Sequence, residues 1–198
     1  ALFLSEYVPK SVMNIIKPTI ELLAAIPSVV YGFIGVMVLA PIIRENFGGP
    51  GLSLLSASII LGIMILPTVI SISIDSILAV PQSYREGSLA LGATTWQTIH
   101  MVTVKASRSG IIASIILGMG RAIGETMAVI MVAGNSVNIP HSPLDSVRTL
   151  TANIALEMSY ATGLHRQALF ATGVILFIVI IILNSIASVA IRKRMVKR

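Results

Sequence analysis

Four long apolar stretches, three of which contain no charged residue, constrain the fold of this 198-residue chain more than any other feature. A helix needs about 20 consecutive apolar residues to cross a bilayer, and each stretch reaches that length. Their bounds are residues 22–43, 52–74, 109–134 and 167–191. None of them alternates polar and apolar residues as a barrel strand does, and backbone in lipid must satisfy its own hydrogen bonds. The sequence therefore predicts an all-α integral membrane protein with about four complete transmembrane helices.

The composition agrees with a membrane protein and narrows its chemistry. Hydrophobic residues make up 55% of the chain, charged residues make up 11%, and the mean hydropathy is +0.92, which excludes a soluble domain with a large core. The chain has no Gly-x-x-x-x-Gly-Lys-Ser/Thr motif and no Gly-x-Ser-x-Gly motif, so we expect neither ATP hydrolysis nor another enzymatic activity in it. There is no cysteine, and His100, His141 and His165 are widely spaced, so we expect no metal site and no cofactor.

The basic residues, which give a net charge of +6, are distributed unevenly over the ends of the predicted spans. Ten of them lie beside one set of ends: Lys10, Lys17, Arg85, Lys105, Arg108, Arg192, Lys193, Arg194, Lys197 and Arg198. Three lie beside the other set: Arg44, Arg148 and Arg166. The positive-inside rule then places the loop 82–108 and both ends of the chain in the cytoplasm. This placement favours contact with anionic lipid over binding of nucleic acid.

Two polar or helix-breaking residues add expectations for the first two spans. Pro27 removes a backbone donor within residues 22–43, so we expect a kink there, which is either a packing feature or a gate hinge. Asp75 follows the second span, where a carboxylate opposes the helix dipole, so we expect it to be solvated or to have a partner.

The cytoplasmic loop 82–108 has a helical period, with Gly92 between two short helical stretches. Apolar residues recur at intervals of three and four along one stripe. The stripe comprises Leu89, Ala93, Trp96, Ile99 and Thr103. Such an element is suited either to docking in a groove of a soluble partner or to lying on the lipid surface.

A second amphipathic pattern occurs in the loop 135–166, on the other side of the membrane. Its apolar positions are Val147, Leu150, Ile154, Met158 and Ala161, which predict a helix lying across the outer mouth.

Arg121 and Glu125 are the two ionisable groups within the third span. A continuous helix would place them one turn apart on one face, with Gly120 and Gly124 on a neighbouring face that admits a close helix. An arginine in mid-membrane costs about 2.5 to 3.5 kcal/mol on insertion scales, so we expect Arg121 to face protein or a water-filled path. The pair either contacts a translocated anion or forms an intrahelical ion pair.

Two segments resemble known permeases. Residues Arg85 to Trp96 resemble the cytoplasmic EAA loop of ABC importer permeases, since Glu86 and Gly92 match the spacing of its Glu and Gly, although Gly87 and Ser88 replace its two alanines. Residues Gly118 to Asn135 are similar to phosphate-specific ABC permeases of the PstC type. Further similar segments are residues 4–7, 20–32 and 152–155.

The resemblance implies a type I, MetI-like importer permease in a prokaryotic cytoplasmic membrane, with residues 1–198 as one permease domain. It implies a homologous permease partner, two ATPase subunits inside and a phosphate-binding protein outside. Arg121 and Glu125 would then belong to the substrate pathway, and Glu86, Gly92 and Trp96 to the element that couples to the ATPase. Family members have about six spans, so the resemblance also implies that the N-terminal helices of a full permease are missing here.

Alternatives remain open at this stage. The substrate could be another oxyanion, such as sulfate or molybdate, or an organic solute. Outside transport, the alternative is a structural or lipid-surface membrane protein.

Overall fold

The computed structural model describes residues 1–196, and within that range every regular element is helical. Lys197 and Arg198, two of the expected basic anchors after the last span, lie outside the described residues. The helices are α1 (Leu2–Glu6), α2 (Lys10–Ala25), α3 (Ser28–Ile34), α4 (Ala40–Phe47), α5 (Leu54–Leu78), α6 (Gln82–Ala90), α7 (Thr95–Thr98), α8 (Val104–Ile123), α9 (Met127–Val132), α10 (Leu150–Glu157) and α11 (Gly163–Val196). Two π-helical segments, Gly35–Leu39 and Ile99–Thr103, join α3 to α4 and α7 to α8.

The predicted number of membrane spans is confirmed. Four helical segments are long and apolar enough to cross a membrane: Ser28–Phe47, Leu54–Leu78, Thr95–Ile123 and Gly163–Ile186. The largest differences from the predicted bounds are in the first and third spans, and each has a local cause.

The predicted kink at Pro27 is wrong, because Pro27 lies between two helices and bends neither of them. Helix α2 ends at Ala25, and Pro27 has extended angles, with φ −56° and ψ 137°, immediately before α3. Proline lacks the backbone N–H and disfavours helical angles in the residue before it, so this position suits the start of a helix. The first span therefore begins at Ser28 rather than at residue 22.

The third span is displaced toward the N-terminus of the chain. It was predicted over 109–134, but the helix begins at Thr95, passes through the π-helical segment Ile99–Thr103 and ends at Ile123. Residues 95–108 are therefore the first part of a membrane-spanning helix, and the second stretch after Gly92 is not a short separate helix.

The chain forms two compact units, which we describe separately. The first comprises residues 1–25, 66–119 and the end of α11 from Ile186. Its interior includes Ile74, Ile77 and Ile99, and a hydrogen bond of 2.8 Å joins the buried hydroxyls of Ser73 and Ser114.

The second unit comprises residues 26–65 and 120–185. Its apolar core is formed by α3, the first half of α5, and α9. The buried members are Tyr31, Ala57, Ile60, Met64, Ala128, Val129, Val132 and Ala133. Gly32 in α3 and Gly35 in the π-helical segment after it let the first span approach α9 closely, because a side chain at Gly32 would collide with Met131 and one at Gly35 with Val132. This packing fixes the position of α9, which follows the break described next.

Candidate functional site

The third span ends in a break of the helix, and the break separates Arg121 from Glu125. Arg121 lies in the last turn of α8, whereas Gly124, Glu125 and Thr126 are not helical. The prediction that Arg121 and Glu125 share a helix face is therefore wrong. Glycine is a weak helix former, and a carboxylate can offer backbone N–H groups an alternative partner, so the sequence Gly-Glu-Thr favours a new start here.

The predicted small-residue ridge is also absent from the described part of the chain. Gly124 lies outside the helix, and a Cβ added at Gly120 would meet no atom within 4 Å. No helix within residues 1–196 therefore packs closely against Gly120.

The Glu125 carboxylate holds the start of α9. Its Oε1 accepts hydrogen bonds from the backbone N–H groups of Thr126 at 3.0 Å and Ala128 at 3.1 Å. The Thr151 hydroxyl, at the start of α10, donates to the Glu125 backbone carbonyl at 2.9 Å. The two bonds to the carboxylate satisfy N–H groups that the first turn of a helix leaves without intrahelical partners. Glu125 thus has a structural role, whatever its charge contributes to transport.

The other end of α9 is held by Asn135. Its side-chain amide donates to the Ile130 carbonyl at 2.7 Å, and its backbone is in the left-handed region with φ 56°. Asparagine tolerates this conformation better than most residues. Since Ala128, Val129 and Val132 are almost completely buried, α9 is a short internal helix fixed at both ends.

The Arg121 side chain, in contrast, is exposed on the surface of this chain. Its positive charge lies near the C-terminus of α8, where the helix dipole favours a cation. An arginine within a membrane-spanning helix is tolerated where it meets water or protein rather than lipid. Its exposure in a single chain is therefore compatible with a water-filled path or with a second subunit at this position.

The sequence analysis missed a polar cluster in the loop 135–166. Arg148 donates to Glu157 at 2.5 Å, to Asn153 at 3.3 Å and to the backbone carbonyl of Asn135 at 3.0 Å. The other Glu157 oxygen lies 3.0 Å from His165 Nε2. The signal that could have found it is the scarcity of charge, because a few ionisable groups beside apolar spans tend to pair.

Asp145 fixes an adjacent turn. Its Oδ2 accepts hydrogen bonds from the backbone N–H groups of His141 at 2.8 Å and Ser142 at 2.9 Å, which hold the pKa of the Asp145 carboxyl below its ordinary value. The predicted helix in this loop is present as α10, although it is shorter than its apolar pattern, which extends from Val147 to Ala161.

The loop after the second span contains the predicted first helix, α6, and the glycine, but the helix after the glycine is the start of the third span. Gly92 has φ 84°, a conformation that glycine adopts without strain. A capping box follows, in which Thr94 Oγ1 accepts from the Gln97 N–H at 3.3 Å and the Gln97 side chain accepts from the Thr94 N–H at 2.8 Å. This local chemistry starts the third span directly after the glycine.

The predicted apolar stripe does not form one face. Ile99 and Thr103 are buried inside the first unit, whereas Leu89 and Trp96 are exposed. Leu91, outside the stripe, has 90% of its surface exposed, and Trp96 has 60%. The Trp96 ring lies 4.0 Å from the His100 ring, measured between centroids. The exposed residues of this region form a surface that we call the Gly92 corner, which comprises Glu86, Leu89, Leu91, Gly92 and Trp96.

Comparison with known proteins gives the chain a family. The model of the binding-protein-dependent transport system inner membrane component matches residues 1–197. No solved structure matches significantly.

Three relatives illustrate the range of similarity. The probable ABC transporter permease protein YqgH of Bacillus subtilis is 46% identical over 90% of this chain. The phosphate transport system permease proteins PstC of Haemophilus influenzae and Pasteurella multocida are 38% and 33% identical over 90% and 98% of the chain. The matched regions cover 59%, 63% and 67% of these relatives, so the chain spans about three fifths of their length. Since the family model covers almost the whole sequence, the chain belongs to the family of binding-protein-dependent transport system inner membrane components.

Proposed function

We propose that this chain is the permease subunit of an ATP-driven importer, without enzymatic activity of its own, and forms part of the pathway for inorganic phosphate across the cytoplasmic membrane. The names of the PstC relatives support phosphate as the substrate. The observation that carries the pathway assignment is the exposed Arg121 at the point where a membrane-spanning helix ends.

The chemistry of Arg121 suits an oxyanion. Its guanidinium group is a planar fork of donors that stays charged when it loses water, so it can bind phosphate oxygens in pairs. Glu125 adds a negative charge four residues later, which weakens the attraction enough for the anion to leave. Phosphate near neutral pH carries a proton that it can donate to a carboxylate, whereas sulfate has none, so Glu125 also favours phosphate. One Glu125 oxygen already accepts two backbone bonds, which leaves the other for this contact.

The proposed complex contains further subunits. The complex has two ATPase subunits, and an ATPase binds the Gly92 corner from the cytoplasm. A homologous permease completes the pathway, and a phosphate-binding protein delivers substrate from outside. The distribution of basic residues supports this orientation, with the C-terminus and residues 82–94, which precede the third span, inside and the loop 135–166 outside.

Uptake of radiolabelled phosphate into cells that carry the full-length permease and its partner subunits tests the proposal. We expect Arg121→Gln to reduce uptake to background while membrane insertion and ATPase co-purification persist. Arg166→Gln is the matched control, since Arg166 is also exposed near a span end but lies outside the proposed path, and it should transport at the parental rate.

Competition identifies the anion. Unlabelled phosphate should suppress uptake, whereas sulfate and molybdate should not. The YqgH relative carries no substrate in its name, so another oxyanion is the second candidate, and suppression by sulfate or molybdate would favour it. Parental uptake in Arg121→Gln would refute the assignment of Arg121.

A further inference from the structure

Arg85, beside Glu86 in the first unit, joins three helices through one guanidinium group. Its Nη2 donates to Glu6 Oε1 at 2.7 Å and to the Ile77 carbonyl at 3.3 Å. Glu6 is at the end of α1, and Ile77 is in the last turn of α5. Arg85 itself lies on α6, so the two bonds connect α6 with α1 and with a membrane-spanning helix.

These bonds matter because α6 has little else to hold it. None of its nine residues is buried, so apolar packing contributes little to its position. A second polar contact comes from Ser88, whose hydroxyl lies 3.0 Å from that of Thr98. The Ile77 carbonyl is in the last turn of α5, where the helix dipole favours a cation, and it also accepts a hydrogen bond from the Val80 N–H at 3.2 Å.

The Arg85 pair is also shielded from water. The side chains of Arg85 and Glu6 are 26% and 10% exposed. A second ion pair links the same part of the chain, since Lys17 on α2 lies 2.5 Å from Asp75 on α5, but its side chains are 31% and 54% exposed. Exposed pairs are screened by water and salt and contribute little, whereas breaking a buried pair leaves a charge without compensation.

We propose that Arg85 is the positioning residue of the Gly92 corner and holds α6 against α1 and α5, so that movement of α6 is passed to the membrane-spanning helix α5. This rests on the proposed function, in which the ATPase moves α6. Arginine suits this role because the N–H groups of its Nη2, which donates to both acceptors, are held in a fixed plane, whereas the N–H groups of a lysine ammonium rotate.

The experiment uses the full-length permease assembled with its partners. Five variants are compared: Arg85→Gln, Arg85→Lys, Glu6→Gln, the double variant Glu6→Gln/Arg85→Gln and, as the matched control, Lys17→Gln. We expect Arg85→Gln to lower phosphate uptake about tenfold and Arg85→Lys to restore it only in part. The double variant Glu6→Gln/Arg85→Gln should be no worse than Arg85→Gln alone, because residues that act as a unit are not additive. Lys17→Gln should stay within about twofold of the parent.

A second readout does not depend on transport. Spin labels at the exposed positions Phe3 and Gln82 report the distance between α1 and α6. The distribution should broaden in Arg85→Gln and stay narrow in Lys17→Gln. A narrow distribution in Arg85→Gln overturns the proposal, as does parental uptake in that variant. If the parental complex takes up no phosphate, the proposed function fails, while the spin-label distances still test the positioning role.

Discussion

Two glycine-containing breaks between helices, at Gly92 and at Gly124, differ in whether they expose side chains or bond the backbone. At Gly92 the backbone turns through a left-handed residue and leaves Leu91 and Trp96 exposed. At Gly124 the Glu125 carboxylate bonds the backbone of α9, in which Ala128, Val129 and Val132 are buried. The first break leaves apolar side chains exposed, whereas the backbone N–H groups at the second break are bonded to a side chain of the same chain. A glycine within a few residues of a glutamate therefore does not by itself distinguish a docking surface from an architectural break.

Replacement of Glu125 should have the largest effect, because it tests whether the second break holds itself together. Glu125→Ala removes two bonds to a charged acceptor, each worth about 1.5 to 3 kcal/mol. Because both bonds share one oxygen, we expect a loss near the lower end of their sum, about 3 kcal/mol in the free energy of unfolding. Glu125→Gln retains an acceptor oxygen and should lose much less. Denaturant unfolding in detergent measures both. Equal stability of the alanine variant and the parent would contradict a structural role for Glu125.

The second prediction concerns the first break, where the effect should fall on binding and not on folding. Trp96→Ala removes an exposed aromatic anchor, and loss of such an anchor costs about 2 kcal/mol of binding, or about 30-fold in Kd for the ATPase. The melting temperature should not change. Tyr160→Ala, an exposed aromatic in the outer loop, is the control and should bind the ATPase normally. Normal ATPase affinity of Trp96→Ala would leave the lipid-surface interpretation of the Gly92 corner.

A third prediction separates two glycines of the same region. Gly92→Ala forces an L-residue into φ 84° and should destabilise the protein by about 1 to 2 kcal/mol, although no atom obstructs the new methyl group. Gly87→Ala, within α6 and equally unobstructed, should instead stabilise it by up to about 1 kcal/mol. Thermal unfolding of the two variants decides. A similar loss in both would mean that the backbone angle at Gly92 is not what the break requires.

The smallest effect is expected at Asp145, which repeats the Glu125 pattern outside the spans, with one carboxylate oxygen accepting two backbone N–H groups. Because these bonds lower its pKa in the folded state, its stabilisation is fully present above the unfolded value of 3.8 and is lost as the pH falls through the folded value. Melting temperatures measured from neutral pH to about pH 3 should show a small decline that is reduced in Asp145→Asn. An unchanged pH profile in that variant would contradict the role of Asp145.

Hydropathy predicted the number of spans because lipid favours apolar side chains along the whole length of a span. The position of Pro27 between helices depends on a single missing donor, and the sequence allowed either a kink or a boundary there. The break at Glu125 depends on whether its carboxylate pairs with Arg121, one helical turn earlier, or accepts from the N–H groups of Thr126 and Ala128. Both alternatives are close in sequence, and the buried packing of α9 decides between them.

The candidate site was predictable only in part for the same reason. Periodicity singled out Trp96, but it placed Trp96 on one stripe with Ile99 and Thr103, which are buried. It did not identify Arg148, Glu157 and His165, which lie in separate parts of the outer loop and meet only after α10 forms. Likewise, the bond between Arg85 and Glu6 joins residues that are distant in sequence, and no local pattern reports such a contact.

The π-helical segment Ile99–Thr103 has a consequence for how such a chain can vary. A π-helical turn holds one residue more than an α-helical turn, so it is equivalent to an inserted residue that the helix has absorbed without losing its axis. One residue corresponds to about 100° of rotation in an α-helix. The segment therefore rotates Trp96 relative to the membrane-embedded part of the same span, and deletion of one residue there would turn the exposed ring to another side of the helix. The orientation of Trp96 can thus change by gain or loss of a single codon, with the side chains of the span after Thr103 kept in place.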